Sequence, residues 1–372
     1  GFLPVRGFSP FRTKKERSIS SENTSFFFQH ILKSAKENKM KTRKLGNIEV
    51  SEIGMGCMAF SHGYGAIPSR EYAMEAIRSA YDHGCTFFDT AEVYGNVLYY
   101  EHHNEEIVGA ALHDIRENCV IATKLHIHDD EASEDMYDVC KRHLLASLKA
   151  LNTNYVDLYY LHRINPEVPV KKVAEAMGKL IDEGLIRGWG LSQVEESTIK
   201  RAHEVTPVSA VQNLYNMLER DCETNTFPYC LEHNIGVVPF SPIASGFLSG
   251  KITKDTAFEK EDDVRVFVPQ LKKENIEANQ PVIDLLNQYA ALKNATNAQI
   301  SIAWMLHKYP NVVPIPGSKN KERIIENLDA NTITLTDEEF QTLEQALNSI
   351  KVYGHRGNVQ FQGQSMKNWG KK

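Results

Sequence analysis

From about residue 51 onwards, short apolar runs alternate with longer segments that have helical spacing. Residues 70–84 are an example, because Tyr72, Ala76 and Ala80 share one face of a helix. The apolar runs are continuous rather than alternating, which is typical of parallel strands that are buried on both faces. The runs that we predict as strands are residues 51–56, 85–90, 119–125, 155–163, 186–192, 208–215, 235–242 and 311–317.

Each predicted strand is followed by a helical segment, apart from an irregular stretch at 243–279. The segments that we predict as helices are residues 70–84, 104–114, 133–151, 170–184, 195–205, 220–234, 281–294, 297–310 and 321–331. Eight such units in one chain favour a single closed (β/α)8 TIM barrel, with an open doubly wound sheet as the alternative. Residues 44–54 carry Gly46-Asn47 between apolar flanks, which predicts a short N-terminal hairpin that caps one end of the barrel.

Residues 1–39 differ in texture from the rest of the chain. They carry eight Lys or Arg and three Glu, show no clean periodicity, and are followed by Met40. We interpret them as a leader, either a tag or an upstream-translated segment, and expect them to be mobile or extended. An organelle transit peptide is the alternative. Residues 40–372 are then predicted to form the barrel domain.

Composition narrows the class of protein further. The 372 residues are 42% hydrophobic and 24% charged, which suits a large globular core. The formal net charge of −6 argues against nucleic acid as a partner, and no apolar run has the roughly 18 residues of a membrane span. The six cysteines form no CxxC pair, so we expect free thiols in a reducing cytoplasm.

Polar residues at the predicted strand ends carry the candidate chemistry. Asp89, Lys124 and His162 each end an apolar strand, and Tyr94 lies in the loop five residues after Asp89. Catalytic groups of such barrels lie at the carboxyl ends of the strands, so we expect these four side chains to meet at one mouth.

These four groups together suit the reduction of a carbonyl. Lys124 is expected to lower the pKa of Tyr94 toward working pH, so that Tyr94 protonates a developing alkoxide. Asp89 would hold the Lys124 ammonium, and His162 would orient the reacting oxygen. The set has no obvious nucleophile and lacks the paired carboxylates of a glycosidase.

The chain resembles the aldo-keto reductase family through seven motifs that occur in order from about Lys41 to about Gln345. The motifs are FFDTAEVYG, IATKL, DLYYLHR, GWGLSQ, AVQNLYNMLER, VVPFSPIASGFLSG and IPGSKNKERIIENL. The resemblance implies that Asp89, Tyr94, Lys124 and His162 are the catalytic tetrad, with Tyr94 as the proton donor to an aldehyde or ketone.

The resemblance also implies an NADPH site without a Rossmann fold. Ser192 and Gln212 match positions that hold the nicotinamide carboxamide, with Gln193 where the family usually has Asn, and Phe240 matches the aromatic ring that stacks on the nicotinamide. The other matching positions are Gly56, Cys57 and Met58 beside the nicotinamide, Ser241, Pro242, Ile243, Ser245 and Gly246 in the pyrophosphate loop, Ser318, Lys319 and Arg323 around the adenosine 2′-phosphate, and Asn327 as a contact to the adenine.

Lys319 and Arg323 favour NADPH over NADH. They lie four residues apart at a predicted helix N-terminus, where backbone N–H groups and the helix dipole attract phosphate. An arginine adds a planar fork of donors that suits a phosphate.

Other functions were weighed against this one. Residues 54–59 fit G-x-G-x-x-A, but Gly63, Gly65 and Pro68 follow, so no helix is predicted there to receive a pyrophosphate. His126 and His128 form an H-x-H pair of the kind found in metal-dependent barrel hydrolases. A cofactor-binding regulatory subunit with little turnover is the remaining alternative. The physiological substrate, beyond a small carbonyl compound, and the oligomeric state are not predicted.

Overall fold

The computed structural model describes residue 1, residues 40–258 and residues 263–357. Its contacts divide the chain into residues 1–39 and residues 40–372, and the second unit is described here by itself. The predictions for the leader lie outside the described residues.

A hairpin opens the described fold, as its turn sequence predicts. Strand β1 (Thr42–Leu45) pairs antiparallel with β2 (Ile48–Ser51) across a turn at Gly46. Gly46 has a φ of 60°, in the left-handed region that favours glycine, and a Cβ there would lie 3.0 Å from the Cα of Ser209.

A seven-stranded parallel sheet forms most of the barrel wall. Its strands pair strictly in chain order, so every connection between neighbours is a helix-containing crossover. The strands are β3 (Met55–Gly56), β4 (Phe87–Asp89), β5 (Val120–Leu125), β6 (Val156–Leu161), β7 (Ile186–Ser192), β8 (Ala210–Gln212) and β9 (Gly236–Val237).

Residues 311–317, the predicted eighth strand, close the barrel between β9 and β3. The segment bridges Val237 of β9 on one side and Gly56 of β3 on the other, both in parallel. The carbonyl oxygen of Pro314 accepts from the N–H of Gly54 at 2.9 Å, and that of Pro316 accepts from the N–H of Gly56 at 3.4 Å, but a proline has no N–H to donate in return. The closure therefore has fewer hydrogen bonds than a full strand pair, which explains why only isolated bridges are present.

Helices cover the outside of the barrel and bury a continuous apolar layer against it. They are α1 (Arg70–Asp82), α2 (His103–Leu112), α3 (Met136–Ala150), α4 (Val170–Asp182), α5 (Glu196–His203), α6 (Cys222–Asn225), α7 (Phe227–Glu232), α8 (Lys273–Ala278), α9 (Gln280–Lys293), α10 (Asn297–Lys308), α11 (Lys321–Leu328) and α12 (Asp337–Ser349). Within the described ranges, none of them has the length and apolar character that a membrane crossing requires.

A separate apolar cluster fills the inside of the barrel. Phe87, Leu158 and Tyr160 point inward from their strands, and Leu45 and Val50 of the hairpin pack against the same cluster. The hairpin therefore closes the amino-terminal end of the barrel, as predicted, and leaves the carboxyl end for the site.

Three predictions about helices need correction. Helix α8 lies within the stretch 243–279 that was predicted to be irregular. The single helix predicted over 220–234 is two short helices, α6 and α7, because Thr226 between them has a φ of −139° and Pro228 removes an N–H. Helix α12 was not predicted at all. Its start carries a readable signal, since Thr336 and Glu339 form a reciprocal capping box. All six cysteines are free and buried.

Candidate active site

The parallel sheet brings the four predicted catalytic residues to the carboxyl end of the barrel. Asp89 is the last residue of β4, Lys124 lies next to the end of β5, and His162 directly follows β6. Tyr94 lies in the turn after β4. The register holds their backbones together, because the N–H of His162 donates to Leu125 at 2.9 Å.

Lys124 is the centre of this group and is completely buried. Its Nζ donates to Asp89 Oδ1 at 2.5 Å, to the carbonyl oxygen of Thr90 at 2.7 Å and to Tyr94 Oη at 3.3 Å. An ammonium has three N–H donors, so these contacts use all of them and fix its position.

The Lys124–Asp89 pair is ionised. Burial has the largest single effect and lowers the pKa of Lys124, but the charges and hydrogen bonds of Asp89 and Tyr94 together outweigh it, so the net direction is a raised pKa. Burial disfavours the charged form of both groups. It therefore raises the pKa of Asp89, although Lys124 and Gln212 donate hydrogen bonds to this carboxylate. The amide Nε2 of Gln212 donates to Asp89 Oδ2 at 2.7 Å, so both carboxylate oxygens have donors that stabilise the anion.

The expectation that Lys124 lowers the pKa of Tyr94 is wrong in its net direction. Burial has the larger effect and raises the pKa of Tyr94, although the charge of Lys124 acts in the opposite sense. Tyr94 therefore keeps its proton at neutral pH. A residue that donates a proton has to hold one beforehand, so this correction still suits the role of Tyr94 that the resemblance implies.

His162 lies beside Tyr94, with 5.8 Å between the ring centroids and an edge-on orientation. Burial lowers the pKa of His162 well below its usual value, and the positive charges of Arg163 and Lys124 lower it further. The imidazole is therefore neutral at pH 7, which suits a group that orients an oxygen by a hydrogen bond.

No role was predicted for Arg163, yet it lies at the mouth beside His162 and Ser192. Its Nη1 donates to the carbonyl oxygen of His162 at 2.5 Å and to Ser192 Oγ at 2.9 Å. Its guanidinium carbon is 6.0 Å from the ring centroid of Phe240. Burial lowers the pKa of Arg163 to about 10, so the group is still charged at pH 7. The available signal was its position directly after a histidine at a strand end.

The residues matched to the nicotinamide lie next to this group. Ser192 ends β7, Gln212 ends β8, and Phe240 forms a parallel bridge with Leu214 beyond them. The Gln193 side chain turns to the backbone, where its Oε1 accepts from the N–H of Leu214 at 2.8 Å.

The residues matched to the other side of the nicotinamide lie where the barrel closes. Gly56 faces Gly317 so closely that a Cβ on Gly317 would lie 2.9 Å from the Gly56 carbonyl oxygen. Cys57 is completely buried after β3, and Met58 begins a single 3-10 turn. That turn is too short to be the helix of a Rossmann motif.

The loop matched to a pyrophosphate has an unusual backbone. Ser241, Ala244, Ser245 and Gly246 have φ values of 50°, 48°, 55° and 96°. Turns of this kind gather backbone N–H groups on one side, which is a common way to bind an anion. The hydroxyl of Ser245 is buried and has no hydrogen-bond partner in the described part of the chain.

Pro242 and Ile243 complete this loop, and one basic group that the sequence analysis missed adjoins it. The carbonyl oxygen of Pro242 accepts from Ser301 at 3.3 Å, which ties the loop to α10. Near the C-terminal end of the described residues, Arg356 Nε donates to Ser241 Oγ at 3.5 Å. The backbone, the hydroxyl of Ser245 and this cation together fit a bound pyrophosphate.

The residues matched to the 2′-phosphate surround the start of α11. Asn320 caps the helix by accepting from the N–H of Arg323, whose side chain is exposed. Asn327 lies buried one turn further on. Lys319 Nζ donates to the carbonyl oxygens of Tyr64 and Ala66 at 2.8 and 2.6 Å, so it anchors the loop after β3. Ser318 Oγ accepts from the N–H of Asn320.

The H-x-H pair contributes to a histidine and carboxylate network. The ring of His126 meets that of His128 edge-on, and the N–H of His126 donates to Glu92 Oε1 at 2.5 Å. His143 lies 2.9 Å from Glu92 and 3.0 Å from Glu131. In the residues that the structure describes, no three His, Cys, Asp or Glu side chains are arranged to hold a metal ion.

The fold and the site define a barrel enzyme with a phenol, an ammonium–carboxylate pair and an imidazole at one mouth. Residues 52–348 match the model of the aldo/keto reductase family. The chain therefore belongs to this family, and it is an oxidoreductase that acts on carbonyl groups.

Several relatives and solved structures are similar over most of the chain. A probable aldo-keto reductase of Glycine max is 33% identical over 84% of this chain and 90% of its own. The aldo-keto reductase yakc of Schizosaccharomyces pombe, whose name specifies NADP(+), is 34% identical over 85% of this chain and 94% of its own. The structure of a glycerol dehydrogenase from Gluconobacter oxydans aligns with a TM-score of 0.73 at 26% identity, covering 84% of this chain and 96% of its own.

A further solved structure is an aldo/keto reductase from Klebsiella pneumoniae in complex with NADP and acetate. It aligns with a TM-score of 0.65 at 26% identity, over 86% of this chain and 99% of its own.

Proposed function

We propose that this protein reduces the carbonyl group of aldehydes or ketones with NADPH and that Tyr94 donates the proton. The observation that carries the proposal is the 3.3 Å contact between Tyr94 Oη and the Lys124 ammonium, which is itself held by Asp89. A neutral phenol and a fixed cation next to it are what protonation of a developing alkoxide requires.

Proton transfer moves the negative charge from the developing alkoxide of the substrate to Tyr94. A bound NADPH would supply the hydride to the carbonyl carbon. The Oη–H bond of Tyr94 breaks as a new O–H bond forms on the carbonyl oxygen, which leaves a phenolate on Tyr94. The Lys124 ammonium already donates to that oxygen, so it stabilises the phenolate without reorganisation. His162, being neutral, orients the carbonyl oxygen by a hydrogen bond.

Three parts of the chain support a site for NADPH. The 241–246 loop has the left-handed backbone conformations that are common in anion-binding turns, a Ser245 hydroxyl without a partner in the described part of the chain, and Arg356 nearby, and these suit a pyrophosphate. Phe240 and Ser192 would hold the nicotinamide. The exposed Arg323 at the start of α11 would pair with a 2′-phosphate, which favours NADPH over NADH. The NADP(+) in the name of the yeast relative and the NADP in the Klebsiella complex agree with this choice.

The test is the substitution Tyr94→Phe, with NADPH consumption measured against 4-nitrobenzaldehyde. Loss of the proton donor is expected to reduce kcat by about 1,000-fold, because a positioned general acid contributes ~100- to 10,000-fold. NADPH affinity, followed by protein fluorescence, is expected to stay within twofold. Tyr99→Phe is the matched control, because Tyr99 is 48% exposed, and its variant should keep full activity.

Two results would contradict the proposal. Normal turnover by the Tyr94→Phe variant would remove Tyr94 from the role of proton donor. Tight NADPH binding by the wild-type protein without turnover across a broad panel of carbonyl compounds would instead favour a cofactor-binding regulatory subunit.

A further inference from the structure

Arg163 is a cation at the active-site mouth for which the described residues supply no acidic partner. In the described part of the chain, its hydrogen bonds come from Nη1 and go to the neutral oxygens of His162 and Ser192. Arg163 as a residue is half-buried rather than fully enclosed, so it can contribute to the wall that a ligand would touch. A charge that protein surrounds is unfavourable unless an opposite charge compensates it.

The neighbouring groups do not supply that compensation. The charge of Asp89 is balanced by Lys124, with 2.5 Å between their atoms. Burial lowers the pKa of His126 to about 4, and the charge of Arg163 contributes to that direction, so this imidazole is neutral. His162 is neutral for the same reasons. Tyr94 keeps its proton, so the described wall around Arg163 carries one uncompensated positive charge.

We propose that Arg163 recognises a carboxylate on the substrate, so that the preferred substrates are carbonyl compounds with a carboxylate next to the reacting carbonyl, that is 2-oxo acids. This inference rests on the proposed function, because it places the reacting carbonyl between Tyr94 and His162. Arg163 directly follows His162 in the chain, so an anion bound by the guanidinium lies close to the reacting carbon.

The geometry of the guanidinium suits a carboxylate. Its Nη1 contacts hold the group in place, while Nε and Nη2 make no hydrogen bond to the described residues. A guanidinium binds a carboxylate through two parallel N–H donors, and such charged hydrogen bonds are stronger than neutral ones. Lysine would supply the charge without the fork, so it is expected to replace Arg163 only in part.

The experiment compares pyruvate with methyl pyruvate, which has the same carbonyl and no negative charge. The ratio of kcat/KM for the acid to kcat/KM for the ester is measured for the wild type, Arg163→Met and Arg163→Lys. The ratio is expected to fall about 30-fold in Arg163→Met, since a hydrogen bond to a charged group contributes roughly 10- to 150-fold. In Arg163→Lys it should fall by less than about fivefold, because the positive charge remains.

A binding measurement gives a second readout that does not depend on turnover. Pyruvate is titrated calorimetrically into the wild-type and variant proteins saturated with NADP(+), and its Kd should rise at least about tenfold in Arg163→Met. NADPH affinity should stay within about twofold in both variants, which also shows that they are folded.

The other outcomes overturn the inference in distinguishable ways. An acid-to-ester ratio that changes less than threefold shows that Arg163 does not select for the carboxylate. Equal losses on both substrates with weaker NADPH binding would make Arg163 a cofactor contact instead. A wild-type protein that reduces neither pyruvate, methyl pyruvate nor 4-nitrobenzaldehyde contradicts the proposed function itself, and the inference falls with it.

Discussion

Both ends of the barrel hold a buried carboxylate paired with a protein cation, but only the carboxyl end also holds a cation, Arg163, with no carboxylate among the described residues. At the amino-terminal end, the fully buried Asp157 of β6 lies 2.8 Å from Arg116 and 3.0 Å from Arg187. Both guanidinium groups also lie over the ring of Tyr155, at 4.2 and 4.3 Å from its centroid. At the carboxyl end, Arg163 has no such carboxylate among the described residues.

The difference separates charges that stabilise the fold from charges that serve a ligand. At the closed end, Asp157 is shared by the largely buried Arg116 and by Arg187, whose side chain is exposed, so the largely buried cation of this cluster has a protein carboxylate as its partner. The cation at the open end is held in position and left for an external partner. Polar residues at the amino-terminal face of such barrels generally serve stability, whereas those at the carboxyl face serve chemistry.

The largest effect is expected from Asp157→Asn, which breaks the ion cluster of Asp157, Arg116 and Arg187. The substitution leaves Arg116 and Arg187 without their carboxylate, and removing one partner of a buried ion pair costs ~3 kcal/mol or more. The free energy of unfolding, measured with urea, should fall by that amount, while kcat per folded molecule changes less than twofold. The control is Asp182→Asn, an exposed carboxylate at the end of α4. A similar small loss in both variants would show that the cluster contributes little.

A smaller effect is expected at the open end from Arg323→Ser. The guanidinium is exposed, and a charged hydrogen bond to a phosphate contributes ~2 kcal/mol, so the Kd for NADPH should rise roughly 10- to 30-fold. The Kd for NADH, which lacks the 2′-phosphate, should not change. Lys321→Ser is the control, because Lys321 begins the same helix but pairs with Glu75 at 2.5 Å. Equal weakening of both cofactors by Arg323→Ser would contradict the assignment.

The smallest effect concerns the pH dependence of stability at His143. Burial alone would lower its pKa, but Glu92 and Glu131 outweigh burial and raise it to about 9. A raised pKa in the folded state means that the stabilisation is complete below the unfolded value of about 6.5 and is lost as the pH rises through 9.

Between pH 6.5 and pH 9.5, the free energy of unfolding of the wild type should fall by about 1–2 kcal/mol more than that of His143→Gln. The expected change in the free energy of unfolding is small because burial raises the pKa of Glu92. A Glu92 carboxyl that holds a proton stabilises a charged His143 less than a carboxylate does. His113→Gln, an exposed histidine, should follow the wild type. Parallel curves for the wild type and His143→Gln would show that the network is not linked to protonation in this range.

The barrel could be predicted well because the pattern of an apolar strand followed by a helical segment repeats along the chain, and each local pattern agrees with the fold. The prediction failed where local rules compete. Pro228 splits a helical pattern into two short helices, and Pro314 and Pro316 thin the hydrogen bonding of the last strand. Helix α12 was missed although Thr336 and Glu339 form a capping box, because it follows the last strand–helix unit and is not part of the repeating alternation.

The candidate site could be located from the sequence but its charges could not. Strand ends place Asp89, Lys124 and His162 together without any knowledge of side chains. The net direction of the Tyr94 pKa depends on how deeply the ring is buried, which is a property of the packed mouth. Arg163 could not be singled out for a related reason, since its significance is the absence of an acidic neighbour in the described part of the structure, and sequence spacing does not show that.

The hairpin residues Leu45 and Val50 close the end of the barrel that lies opposite the active site. Because that end of the barrel is closed, substrate and product share the mouth at the carboxyl end. A product therefore has to leave before the next substrate can reach Tyr94. Under the proposed function, the proton that Tyr94 donates would have to be replaced through the same mouth, so the residues at the rim rather than those at the closed base would set the rate of reprotonation.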